Sequence, residues 1–217
     1  MLSSCRQCCI LDTISLVGLC RLELDSRRAI EWLVDDFDIS IPQKVFDDAL
    51  HYIQVDDETQ SIFFRTVPPL VYYNTIVSCE QFLSRRIKSL PPQFIPQVDE
   101  GERAAAALAL KMSRSLKQYI LLVTDDLKAL GPLCITLDRH QIGIVKTSYD
   151  VLLFLVSRHM IELPPEAIEI ALKELNQLLR DNSKAAHVPQ KPDELLDKYL
   201  SILPELSDWN CRTLDCM

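Results

Sequence analysis

Glycine is scarce in this 217-residue chain: there are four, Gly18, Gly101, Gly131 and Gly143, and no two lie within ten residues of each other. A loop that cradles a phosphate needs closely spaced glycines so that backbone amides can approach the anion. P-loop, Rossmann and kinase readings are excluded on that ground. Long apolar runs are also missing. Val151–Val156 is six residues long, far short of the roughly eighteen that a membrane span needs. No basic stretch followed by a long apolar core opens the chain, so no secretory signal is expected and a cytoplasmic location is the default. His51, His140, His159 and His187 show no partner spacing for zinc or a general base. Ser15 and Cys20 have no His–Asp arrangement behind them, which disfavours nucleophilic catalysis.

Acids, by contrast, are plentiful, with 31 Asp+Glu against 23 Lys+Arg and a formal net charge of −8. The excess is local. Residues 31–58 hold nine acids and one base, Lys44, which is −8 by itself, and the rest of the chain balances at 22 of each. Residues 81–119 lean the other way, with seven bases against Asp99, Glu100 and Glu102. Arg103, Arg114 and Lys117 share a helical face by spacing and, with Arg85, Arg86 and Lys88, are candidates for phosphate contacts. A solvated helix face explains them equally well. No basic motif interleaved with aromatics suggests base-specific reading. Eight cysteines complete the inventory. Cys5-x-x-Cys8 and Cys211-x4-Cys216 have the residues for a zinc site but lack tight knuckles containing glycine, so reduced thiols are the expectation.

Residues 9–12 read as a short buried strand ending in a carboxylate. Helical spacing follows over Thr13–Leu24, with Thr13 as cap, and over 26–36, with Ser26 as cap. A second strand fits Phe37–Ile41, and Pro42 suits the first turn of the next helix. Strand, helix, strand, helix predicts a parallel α/β sheet. Residues 55–98, broken by five prolines, read as an insertion or lid with a helix over Val71–Ser89. A helix from Glu102 to Leu116, a strand over Tyr119–Val123, a turn or short helix at Asp125–Leu130, a strand at Cys134–Thr136, and helices over Thr147–His159 and Pro165–Asp181 complete a domain of residues 1–181. Residues 182–217 form an extension with one short helix, 193–203.

The chemistry rests on where single acids fall. Asp12 sits at the end of the first strand, Asp125 and Asp126 just past a later one, Glu102 at a helix start, and Asp47 and Asp48 one turn into the Pro42 helix. Carboxyl ends of parallel strands are where open α/β sheets place ligands. Converging carboxylates call for a hard divalent cation, Mg²⁺ or Mn²⁺, and two such ions would support phosphodiester hydrolysis.

Four segments in order carry a resemblance. Ile10-Leu11-Asp12-Thr13-x-x-Leu16 resembles the opening strand and Asp-Thr of PIN-domain proteins, the family of the VapC-type toxin ribonucleases. Ile41-Pro42-x-x-Val45-x-x-Asp48 is similar to their second motif. Gly101-Glu102-Arg103-x-x-Ala106-Ala107-x-Ala109 resembles the third, and Leu121-Leu122-Val123-Thr124-Asp125-Asp126 the fourth. The similarity runs from about residue 9 to residue 160. It implies a three-layer α/β/α fold with a central, mainly parallel sheet and a divalent-metal-dependent ribonuclease, the toxin of a toxin–antitoxin pair being the model case. Asp12, Asp48, Glu102 and Asp126 would be the metal ligands or their hydrogen-bonded neighbours, with Asp125 as the alternative to Asp126. Thr13 and Thr124 would orient a carboxylate or a water. The partners it implies are an RNA substrate, a small antitoxin protein and a second copy in a homodimer. Ala104 stands where many relatives carry a second acid, and Ile14 where a small or amide residue is common. Those departures favour the alternative, a PIN-like binding or scaffold protein without catalysis.

Overall fold

The computed structural model describes residues 6–53, 57–90, 98–159, 165–185 and 196–201. Five parallel strands form its centre: β1 (Cys8–Leu11), β4 (Asp38–Pro42), β5 (Val71–Tyr72), β6 (Ile120–Val123) and β7 (Gly143–Lys146). They lie in the order β5-β4-β1-β6-β7. Between them run α1 (Thr13–Arg21), α2 (Ala29–Asp36), α3 (Gln43–Tyr52), α4 (Asp57–Thr66), α5 (Val77–Lys88), α6 (Glu100–Leu116) and α7 (Leu127–Arg139), and α8 (Ser148–His159) and α9 (Pro165–Ala185) follow. A two-residue antiparallel pair, β2 (Glu23–Leu24) with β3 (Arg27–Arg28), stands apart from the main sheet.

Every residue of β1 and β6 is buried, as expected of central parallel strands covered on both faces. Alternation sorts their side chains into two cores. Cys9, Leu11, Leu121 and Val123 join Leu16, Ile30, Val45, Tyr149 and Leu172 on one face. Cys8, Ile10, Ile120 and Leu122 join Leu83, Ala105–Ala109, Leu133 and Leu137 on the other. The alanine run of α6 is wholly buried; side chains that small let the helix lie close to the sheet.

Several boundaries differ from the sequence reading, each for a local reason. Asp25 and Ser26 have positive φ, 49° and 62°, the geometry of a tight hairpin turn. That hairpin takes up residues 23–28, so α2 starts at Ala29 rather than after Ser26. Pro42 ends β4 and caps α3. Residues 134–136 are not a strand but part of α7, whose Ala129, Leu133 and Leu137 form a buried stripe four residues apart. The adjacent Gly131 and Pro132 suggest a break by sequence, yet Pro132 lies inside that helix. The strand in this region is β7, and at its start Gly143 is required: a Cβ there would lie 2.0 Å from the Ile120 carbonyl oxygen.

Residues 57–88 are built into the fold. Phe63 and Val67 of this stretch are fully buried, Val71 and Tyr72 pair with Ile41 and Pro42, and Leu83 sits in the second core. The helical residues 196–201 dock through Tyr199, which stacks on Tyr149 at 5.2 Å and shares a 3.1 Å hydrogen bond with Thr147. No described helix is long and apolar enough to cross a membrane. Cys8 is buried in β1, and Cys5, Cys211 and Cys216 lie outside the described residues.

Candidate functional site

Chain order reverses between β1 and β6. From β1 the sheet first grows to β4 and β5 on one side, and the chain then returns to lay β6 and β7 on the other. Diverging connections leave a crevice at the carboxyl ends of such neighbours. A cavity of about 220 Å³ lies there, lined by Asp12, Thr13, Ile14, Asp48, His51, Tyr52, Asp99, Gly101, Glu102 and Asp126.

The carboxylates reach it because three of them cap helices. Asp12 follows β1; its N–H donates to the Val123 carbonyl at 3.0 Å, tying the two strand ends together. Its Oδ1 accepts from the Ser15 N–H at 2.7 Å and starts α1. Asp126 starts α7, with Oδ1 accepting from the Lys128 N–H at 2.7 Å. Its own N–H donates to Thr124 Oγ1 at 3.3 Å. Asp99 and Glu102 form a reciprocal capping box at the start of α6: the Asp99 N–H donates to Glu102 Oε2 at 2.7 Å, and the Glu102 N–H donates to Asp99 Oδ1 at 3.0 Å. The positive ends of three helices therefore face the anionic groups and offset part of their charge. Asp48, one turn into α3, accepts from Lys44 Nζ at 2.9 Å. Gly101 marks where these segments converge. A Cβ at that position would lie 3.4 Å from Asp99 Oδ1, 3.4 Å from Thr13 Oγ1 and 3.8 Å from Asp48 Oδ2.

Asp12, Glu102 and Asp126 are nearly inaccessible to solvent, and no described base forms an ion pair with any of them. Burial raises the Asp12 pKa from 3.8 to about 7, with repulsion from Asp125 adding to it and hydrogen bonds from Thr124 and Ser15 opposing it. Glu102 is pushed up further, first by burial and then by Asp99, Asp126 and Asp12. Carboxyl groups this mutually repulsive hold protons unless a cation joins them.

The donor set is all oxygen, the chemistry that suits Mg²⁺ or Mn²⁺. In the conformation seen, no three His, Cys, Asp or Glu side chains among the described residues are grouped as ligands of one ion. Asp12, Asp126 and Glu102 each have one oxygen engaged by a backbone N–H. The second oxygens of Glu102 and Asp126 lie outside those cap bonds.

Asp12, Asp48, Glu102 and Asp126 of the sequence reading thus share one cavity. Asp125 does not line it. Its Oδ1 accepts from the Ser148 N–H at 2.8 Å, and its Oδ2 accepts from the Ser15 and Ser148 hydroxyls at 2.8 and 2.5 Å. It is a buried clip joining β6 to α1 and α8. Thr124 is buried beneath the cavity, bonded to the Asp12 carboxyl and the Asp126 N–H. Asp99, His51 and Tyr52 are the lining residues that sequence reasoning misses. The spacing Asp99-x-x-Glu102 is a signal for the first, being a capping box. His51 and Tyr52, three and four residues after Asp48, share its helix face, a signal for the other two.

No family model, curated protein or solved structure matches the chain.

Proposed function

We propose that the chain is a divalent-metal-dependent endoribonuclease of the PIN type. The observation that carries this reading is the cavity at the β1/β6 crevice, into which four separate segments bring Asp12, Asp48, Asp99 with Glu102, and Asp126. Burial and neighbouring acids raise the affinity of Asp12 and Glu102 for protons, and a cation bound between them would remove that repulsion. Asp12, Glu102 and Asp126 would hold the ion, with Asp48 at the mouth. When bound, Mg²⁺ or Mn²⁺ supplies positive charge that stabilises the phosphoryl group as its phosphodiester is hydrolysed.

The residues of the chain have their own tasks in this scheme. Thr124 fixes the Asp12 carboxyl and the backbone of Asp126 relative to each other, so the ligand geometry is set before substrate arrives. Thr13 borders the cavity beside Asp99 and Asp48 and orients water. Lys44, bonded to Asp48, would offer a positive charge to the substrate's phosphates. A small inhibitory protein, as in a toxin–antitoxin pair, and a homodimer are the partners this reading brings with it.

Two observations favour a second reading. Ligand-like grouping is absent among the described residues, and buried Ala104 occupies the position where many PIN-domain relatives carry another acid. A PIN-like scaffold that binds without cutting would have those features. Incubating a mixed RNA pool with the wild-type protein and with Asp12→Asn, in Mn²⁺, in Mg²⁺ and in EDTA, decides between them. Cleavage that needs the metal and falls at least about a hundredfold in the variant is the expected result. Equal activity in both proteins, or none in either, overturns the nuclease reading.

A further inference from the structure

Charge of the opposite sign gathers at the far end of the same sheet. α6 and α7 both begin at the cavity, with Glu102 and Asp126, and both run away from it. Arg114 lies twelve residues beyond Glu102, about 18 Å along the axis at 1.5 Å per residue. There the half-buried ring of Phe82, on α5, is flanked by two guanidiniums: Arg86 at 5.1 Å and Arg114 at 5.2 Å from the ring centroid. The His140 imidazole approaches the same ring edge-on at 5.6 Å. A third guanidinium belongs to Arg139, the last residue of α7. Burial first, then the positive charges of Arg86, Arg139 and Arg114, lower the affinity of His140 for a proton. All three arginines are exposed.

None of the three forms an ion pair with a described carboxylate, although Glu80 and Asp138 are nearby in the sequence. That sets the three apart from the arginines that pair with the acids of residues 31–58 and their neighbours. Arg27, Arg28, Arg65 and Arg158 each hold an acid within 3.0 Å. Converging cations without counterions repel one another, and a bound polyanion relieves the repulsion. Guanidinium forks match phosphate oxygens, and the partly exposed His140 imidazole is a ring on which a base can stack.

We propose that Arg86 and Arg114, flanking Phe82, together with Arg139 next to His140, form a docking site for single-stranded RNA remote from the carboxylate cavity. This rests on the ribonuclease reading for what happens at the other end of the strand. The geometry sets a length requirement: at about 3.4 Å per stacked nucleotide, spanning 18 Å takes about five or six nucleotides. An RNA of twenty nucleotides reaches both sites, and one of four does not.

Binding is tested apart from cleavage by fluorescence anisotropy of a labelled twenty-nucleotide and a four-nucleotide single-stranded RNA, with the full chain in EDTA. The proteins are the wild type, the triple variant Arg86→Gln/Arg114→Gln/Arg139→Gln, and the charge-reversing Arg86→Glu/Arg114→Glu/Arg139→Glu. The longer RNA should bind wild type with a steep salt dependence. In the Gln variant its affinity should fall at least about tenfold and the salt slope should flatten by about two, at roughly 0.7 per lost phosphate contact. Charge reversal should weaken binding further, with melting temperatures close to wild type because the three side chains are exposed. A wild-type affinity insensitive to salt, or equal affinities in all three proteins, overturns the docking site. Poly-L-glutamate that binds as tightly as the RNA, through the same arginines, makes an acidic protein the occupant and equally overturns it. Arginine-dependent binding with no metal-dependent cleavage defeats only the nuclease reading; cleavage with unaltered RNA affinity in the triple variants defeats only the docking site.

Discussion

Two sets of carboxylates in this chain have opposite fates. The acids of residues 31–58 account for the whole net charge of −8, yet many of them are paired. Arg65 holds Glu31, Arg27 holds Asp35, Arg158 holds Asp36, Lys44 holds Asp48 and Arg28 holds Glu58. The carboxyls of Asp12 and Glu102 are buried without a base, one capping α1 and the other completing the box at the start of α6. Five of the nine acids of residues 31–58 are held by bases, four of those bases from outside the segment. A few scattered acids, invisible in any charge count, carry the electrostatic tension. Concentration of like charge along a sequence is therefore a poor guide to where a cation is needed. Burial without a partner is the better one.

Replacing Asp12 breaks the contrast most strongly. Asp12→Asn keeps the cap on α1, since Asn also accepts from an N–H, and removes a buried acid. In EDTA at pH 8 it should raise stability by a few kcal/mol, read from urea unfolding, while abolishing metal-dependent RNA cleavage. A variant less stable than wild type under those conditions would show that the Asp12 charge is not strained.

The pH dependence of the wild type follows with its sign. A native pKa of about 7 against 3.8 means that the folded state binds the Asp12 proton more tightly than the unfolded chain does. Stability from this group is complete below about pH 4 and is lost as pH rises through about 7, a difference of up to about 4 kcal/mol. In EDTA the melting temperature should be higher at pH 5 than at pH 8. Mn²⁺ should restore it at pH 8 and have little effect at pH 5. A flat profile with no metal response would show that no cation joins these carboxyls.

On the paired side the effects are smaller. Arg158→Ala takes away the guanidinium 2.7 Å from Asp36, whose side chain is only 5% exposed, and should cost about 1–2 kcal/mol. Lys44→Ala breaks an exposed pair within α3 and should cost no more than about 0.5 kcal/mol. Denaturation midpoints in that order would confirm that burial, not ion-pair count, ranks these groups. Equal costs would undo the ranking.

Much of the fold and of the site is legible in the chain's local patterns. The acids at the ends of β1 and β6, the first three helices and the alanine-rich α6 all follow from them, because caps, apolar spacing and strand length are short-range properties. Residues 134–136 mislead because Gly131-Pro132 is a strong local break signal, overridden by the buried stripe of α7. β5, two residues long, exists only through pairing with β4, and no local signal marks it. Asp125 and Asp126 cannot be told apart by sequence. Adjacent residues point to opposite sides, and only the packing of α1 and α8 sends Asp125 to Ser15 and Ser148 while Asp126 faces the cavity.

The sequence by itself determined a parallel α/β chain without phosphate-binding glycines, with single acids at strand ends and helix starts. Those are statements about neighbours in the chain, where hydrogen-bonding and apolar periods act. The tertiary structure decided which acids meet, which are neutralised, and that two arginines, from α5 and α6, flank one phenyl ring. Electrostatic energy depends on distance and burial, and both are set by which segments the sheet order brings together.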